Sequence, residues 1–128
     1  IYEASPSIMK RSGVGYRARY LKDASAFLLH QQDNLLACNY AELREKLLSI
    51  KGVGNKVADC VLSFSLGVNH VTPIDVWGDR LYTQIYKQEA TKKYEIKSRF
   101  FTDRFGEHTS LAGQFLFEYI SNGDIFIG

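Results

Sequence analysis

The stretch Leu48-Ser49-Ile50-Lys51-Gly52-Val53-Gly54-Asn55-Lys56 constrains this chain more than any other. Before it, Leu43, Leu47 and Leu48 fall on one face of a helix over 40–49, with charges opposite. After it, 55–66 resumes a helical pattern that Gly67 closes. Two helices must therefore meet through a tight connection at 51–54. Its glycines, two apart, permit positive φ and the close approach of another backbone. The second helix then opens with free N–H groups and a positive dipole end, which suits a phosphate of DNA. Such a grip does not read sequence, because phosphate contacts position and base-edge contacts specify. An ordinary helix–helix turn is the other reading of the glycines alone.

The remaining pattern is also helical. Ser5-Pro6 opens a short helix, with proline at its first position. Ser12-Gly13-Val14-Gly15 breaks it. Tyr20, Leu21, Ala24, Phe27 and Leu28 then recur at helical spacing over 16–32, with a weakening or a turn expected at Asp33-Asn34. Val71-Thr72-Pro73-Ile74 must be extended, because Pro73 disfavours helix at Thr72. Asp75 is a good N-cap for a helix reaching about Tyr86. Two further helices are expected near 93–105 and 110–120. The fold class is all-α.

Composition narrows the class. A chain of 128 residues suits one domain, 1–128, around one core. With 45% hydrophobic and 23% charged residues it reads as globular rather than disordered. No apolar run approaches the roughly 20 residues of a membrane helix, so no membrane partner is expected. A net charge of +2 permits nucleic-acid binding without indicating it. Cys38 and Cys60 make no disulfide framework or cluster set, and His30, His70 and His108 have no ligand spacing, so no metal held by side chains is expected. The chain begins at Ile1, mid-pattern and without a signal-peptide layout, and reads as a fragment, or a processed piece, of a longer protein.

Lys56 sits just inside the second hairpin helix, among Val57, Ala58, Val61, Leu62, Phe64 and Leu66. A lysine there either snorkels to solvent or is held at a cleft. Partly desolvated beside a helix N-terminus, it would favour the neutral, nucleophilic amine. Asp75 follows nineteen residues later, and an antiparallel helix pair would return it toward Lys56. A carboxylate there can orient the amine, stabilise a sugar cation and move a proton. From spacing alone, a surface lysine and a mere N-cap remain the alternative.

The whole string adds to this. Gly52-Val53-Gly54-Asn55-Lys56-Val57-Ala58-Asp59-Cys60, followed by Val71-Thr72-Pro73-Ile74-Asp75-Val76-Trp77, resembles the helix-hairpin-helix DNA glycosylase superfamily. Within it, the nineteen-residue interval and the KVADC string resemble the 8-oxoguanine DNA glycosylase family. The similar endonuclease III family uses a shorter interval and usually an iron–sulfur cluster, which two cysteines cannot build. Gly13-Val14-Gly15-Tyr16-Arg17-Ala18-Arg19-Tyr20 is similar to the family segment that probes the DNA gap. The resemblance implies that Tyr16 wedges into the duplex and that Arg17 contacts the cytosine left behind. Read without it, Tyr16 and Tyr20 are core and Arg17 and Arg19 a solvated face.

The helix Leu111-Ala112-Gly113-Gln114-Phe115-Leu116-Phe117 resembles the last helix of the catalytic domain. This implies that Phe117 stacks on the extruded base, although one of Phe115 and Phe117 is expected in the core. Cys60 lies one turn after Lys56 on the same face, where the resemblance puts it against the base. A small apolar core residue is the alternative there.

The sequence also departs from the pattern. Trp77 stands in the base pocket where animal members carry histidine, as in bacterial members. Gly113 stands where they read the base edge with glutamine, and Gln114 should point about 100° away. The implied activity is a bifunctional glycosylase/AP lyase of base excision repair, removing 8-oxoguanine from duplex DNA through a Schiff base on Lys56. It needs no cofactor, but a Na⁺ or K⁺ held by the carbonyls of Leu48, Ile50 and Val53 is implied. A monomer is expected, in the bacterial nucleoid or the eukaryotic nucleus. A glycosylase for other oxidised or alkylated purines, and a non-catalytic DNA-binding module, remain alternatives.

Overall fold

The computed structural model describes residues 1–122, apart from the side chains of 32–36. It is all-α: among the described residues there is no strand. The helices are α1 (Pro6–Arg11), α2 (Arg17–Leu36), α3 (Tyr40–Ser49), α4 (Asn55–Cys60), α5 (Val76–Arg80), α6 (Tyr94–Phe105) and α7 (Thr109–Ser121). α4 runs on into a π-helical turn at Val61–Ser65, and α5 into another at Leu81–Ile85. No helix of the described residues is long and apolar enough to cross a membrane. The chain divides into two compact units, Ile1–Gly54 and the residues from Asn55 on. Sequence composition suggested one core and carried no sign of that division.

In the first unit, Ser5 caps α1 by accepting the Ile8 N–H at 3.3 Å, with Pro6 at the first helical position. α2 runs to Leu36, so the turn expected at Asp33-Asn34 does not form. Asp and Asn cost an α-helix only fractions of a kcal/mol (up to ~0.7), too little to break one that spans 20 residues. α3 opens with a capping box: Asn39 Oδ1 accepts the Glu42 N–H at 3.1 Å, and Glu42 accepts the Asn39 N–H at 3.2 Å. Its Leu43 and Leu47 are buried, as are Met9 and Ile50. Gly52 has φ +92°, and a Cβ on it would lie 2.6 Å from Tyr20 Cγ. Both the turn and the neighbouring ring therefore require glycine there. Gly54 has open space around it.

In the second unit, Ile74, Leu81, Tyr82, Phe101 and Ile120 form the core, with Trp77, Tyr86, Phe100 and Leu116 packed against it. The aromatic rings meet edge to face: Tyr82–Phe100 at 5.2 Å and Phe100–Phe101 at 5.3 Å between centroids. The extended segment 71–75 brings in Val71, Thr72 and Ile74, all buried. Asp75 then starts α5 as its N-cap.

Candidate active site

A cavity of about 210 Å³ opens in the second unit. Drug-sized ligands occupy roughly 300–1,000 Å³, so this is room for one planar ring system. α4 and its π-helical extension contribute Lys56, Cys60 and Phe64, four residues apart and hence on one face. The segment before α5 adds Thr72, Pro73, Ile74 and Asp75, and α6 adds Phe101 as part of the wall. α7 closes it with Gly113, Gln114, Leu116 and Phe117. Lys56 and Asp75, nineteen residues apart, thus reach one cavity.

Asp75 caps α5 and also lines the cavity. Its Oδ1 accepts the Trp77 N–H at 2.9 Å and the Gly78 N–H at 3.1 Å, which caps α5. Its other oxygen has no partner among the described residues, and the side chain lines the cavity. Two backbone donors fix the carboxylate, and its second oxygen is left for chemistry. Lys56 lines the cavity but is exposed, and among the described residues it forms no hydrogen bond or ion pair.

Burial pushes the Cys60 thiol above its ordinary value. The Lys56 ammonium opposes this, while the Asp59 and Asp75 carboxylates add to it. Cys60 therefore enters the site as a neutral thiol. Alkylation of Cys60 against pH, in a Cys38→Ser background, should show a midpoint above that of a free thiol. Lys56→Gln removes the lowering charge and should move the midpoint higher still. An unmoved midpoint would place Lys56 away from Cys60.

A polar clamp that sequence reasoning missed holds the site in register. Asp59, 1% exposed, accepts the Tyr94 O–H at 2.7 Å, and Tyr94 Oη accepts the Ile74 N–H at 3.1 Å. One tyrosine on α6 thereby fixes α4 beside Lys56 and the backbone just before Asp75. Thirty-five residues separate Asp59 from Tyr94, so no local pattern links them.

Gly113 lines the cavity, but its reason for being glycine is packing. A Cβ there would lie 2.0 Å from Thr72 Oγ1 and 2.9 Å from Thr72 Cβ. Gly113→Ala should therefore destabilise the protein by about 1–3 kcal/mol, the usual cost of overpacking. Urea unfolding measures this, and an unchanged midpoint would mean that Thr72 moves aside freely.

Three expectations on the pocket are corrected. Trp77 does not line the cavity; its ring packs against the core cluster, with the Arg80 guanidinium 4.7 Å from its centroid. Gln114 does line it beside Gly113, because the cavity mouth is wider than one helical position. Neither Phe115 nor Phe117 is core: they are 67% and 41% exposed. α7 instead buries Thr109 and Ile120, and Phe117 faces the cavity while Phe115 does not.

In the first unit, Tyr16 is 75% exposed, so it is not a core residue. The Arg17 guanidinium lies 4.9 Å from its ring centroid, and Tyr20 meets it edge-on at 6.4 Å. The 50–54 connection is closed by the Val53 N–H donating to Ile50 O at 3.0 Å.

A hairpin that leads a lysine into a cavity, nineteen residues ahead of a helix-capping aspartate, is the plan of the helix-hairpin-helix DNA glycosylases, and the all-α fold is of that class. No protein-family model matches the chain. A probable N-glycosylase/DNA lyase of Methanothermobacter thermautotrophicus is 38% identical over 80 residues, covering 61% of this chain and 26% of that protein. Among solved structures, MBOgg1 in complex with a low-affinity DNA ligand matches 98% of this chain with a TM-score of 0.86 at 30% identity. The Clostridium acetobutylicum 8-oxoguanine glycosylase/lyase, in complex with DNA containing cytosine opposite 8-oxoguanine, matches 97% with a TM-score of 0.83 at 27% identity. The chain spans 44% and 43% of those two structures. It belongs to the 8-oxoguanine DNA glycosylase family.

Proposed function

We propose that the chain is a bifunctional DNA glycosylase/AP lyase that removes 8-oxoguanine from duplex DNA. The observation that carries this reading is the convergence of Lys56 and a half-engaged Asp75 on one ring-sized cavity. Phosphate binding alone needs neither residue, which argues against a purely DNA-binding module.

The steps follow from the residues. The turn 52–54 and the backbone N–H groups that follow it hold a phosphate. Tyr16 enters the duplex and Arg17 meets the cytosine opposite the lesion. The flipped base enters the cavity between Cys60 and Phe117. Lys56 Nζ forms a bond to C1′ as the C1′–N9 bond breaks, and the base leaves with that electron pair and gains a proton. Asp75 stabilises the positive charge that develops on the sugar. The amine gives up a proton, its lone pair forms the C1′=N bond as the C1′–O4′ bond breaks, and O4′ takes a proton, giving an open-ring Schiff base. Loss of a C2′ proton then expels the 3′ phosphate and nicks the strand.

The carbonyls of Leu48, Ile50 and Val53 would hold a Na⁺ or K⁺. They are neutral oxygens at the C-terminal, negative end of α3, a donor set that fits a hard cation. When bound, the ion adds a positive charge at the turn that meets the phosphate. The protein acts as a monomer where DNA is, in the nucleoid or the nucleus.

The test is incubation with a duplex carrying 8-oxoguanine opposite cytosine in the presence of borohydride, which reduces the Schiff base to a stable link. A covalent protein–DNA adduct is expected. DNA binding without adduct or base release would overturn the reading and leave the binding module.

A further inference from the structure

If the cavity receives a base as proposed, something in it must meet the polar edge of that base. Most of its walls are apolar: Phe64, Ile74, Phe101, Leu116 and Phe117. Asp75 has one oxygen committed to backbone donors, Cys60 offers only a weakly polar thiol, and Gln114 is an exposed side chain on a rotatable stem. Thr72 is different. It is 7% exposed and lies in the cavity wall.

The unit's other buried threonine and serine, Thr109 and Ser63, are engaged, and so are the half-buried Thr83 and Thr102. Thr83 donates to Asp79 O at 2.8 Å, Thr102 to His70 O at 3.0 Å and Thr109 to Gly106 O at 2.7 Å, while Ser63 bonds Ser110. Thr72 Oγ1 has no partner among the described residues. No polar side-chain atom there is sealed without a partner, so this oxygen keeps access to the cavity. A hydroxyl on a nine-tenths buried residue, open to the cavity and unbonded among the described residues, is placed to meet a polar group that enters it.

Its surroundings hold it in place. Pro73 restricts Thr72 to extended backbone, and β-branching leaves its side chain few rotamers. Gly113 leaves empty the space that Thr72 Oγ1 fills, since any side chain there would begin 2.0 Å from that oxygen. We propose that Thr72 is the base-reading residue of this pocket and that Gly113 is glycine to make room for it. As both donor and acceptor, the hydroxyl matches the N–H and carbonyl groups on the edge of an oxidised purine.

The inference rests on the glycosylase reading, and two substrates separate the two. Single-turnover release of 8-oxoguanine needs the base to be read; borohydride trapping on a duplex with a preformed abasic site does not. Thr72→Val, which keeps the shape, should slow base release about tenfold and leave abasic trapping unchanged. Thr72→Ser should restore base release. Release at the wild-type rate in Thr72→Val overturns the inference and leaves the enzyme reading intact. Equal loss of both activities also overturns it, as a merely structural role. Failure of the wild-type chain to trap abasic DNA overturns the enzyme reading and the inference together.

Discussion

Replacing Lys56 with glutamine is expected to abolish the borohydride-trapped adduct and to cut strand nicking by about 10³-fold or more, the scale seen when a covalent nucleophile is removed. Duplex binding should survive, because Lys56 is exposed and, among the described residues, forms no hydrogen bond or ion pair. Asp75→Asn sharpens the test. Asparagine is an equally good N-cap, so the bonds to the Trp77 and Gly78 N–H groups persist and the unfolding midpoint should hold. The charge facing the sugar is lost, and base release should slow. Asp75→Ala loses both, with about 1 kcal/mol of stability gone as well. If Asp75→Asn releases base at the wild-type rate, Asp75 is a cap and nothing more.

What the sequence made legible was local. Helix starts at Lys56 and Asp75 were legible locally, but spacing left a surface lysine and a mere N-cap as the alternative, and the resemblance of the whole string paired them. The short helix at Pro6, the capped helix at Tyr40 and the N-cap role of Asp75 followed from residues within one turn. Other features were invisible because their cause lies far away in sequence. Thr72 shows only as a residue before proline; its hydroxyl matters because Gly113, forty-one residues on, has no side chain. Asp59 and Tyr94 find each other across thirty-five residues. Trp77, two residues past Asp75, fell on the core side because the first turn of a helix does not reveal which face the body will bury. For Phe115 and Phe117 the opposite happened: apolarity suggested the interior, but a base-sized cavity and solvent are where they point.

Phe101→Ala is the substitution expected to cost most in stability. The ring is 2% exposed, belongs to the core cluster, and meets Phe100 at 5.3 Å and Tyr86 at 5.9 Å. Truncating a buried phenylalanine costs about 3–5 kcal/mol, lost transfer energy plus an unfilled hole. Small proteins hold only about 5–15 kcal/mol in total, so the variant should sit near the edge of folding at 25 °C. Its urea midpoint should fall steeply, with the slope of the transition unchanged. The same ring is also wall of the cavity. Core and pocket are therefore one body of packing on this side, and a hole opened in the first enlarges the second. Base release should fall along with stability. A variant that stays fully folded and yet loses base release would show that the wall matters by shape alone; one that loses stability but keeps full activity would show that the base does not rest against α6.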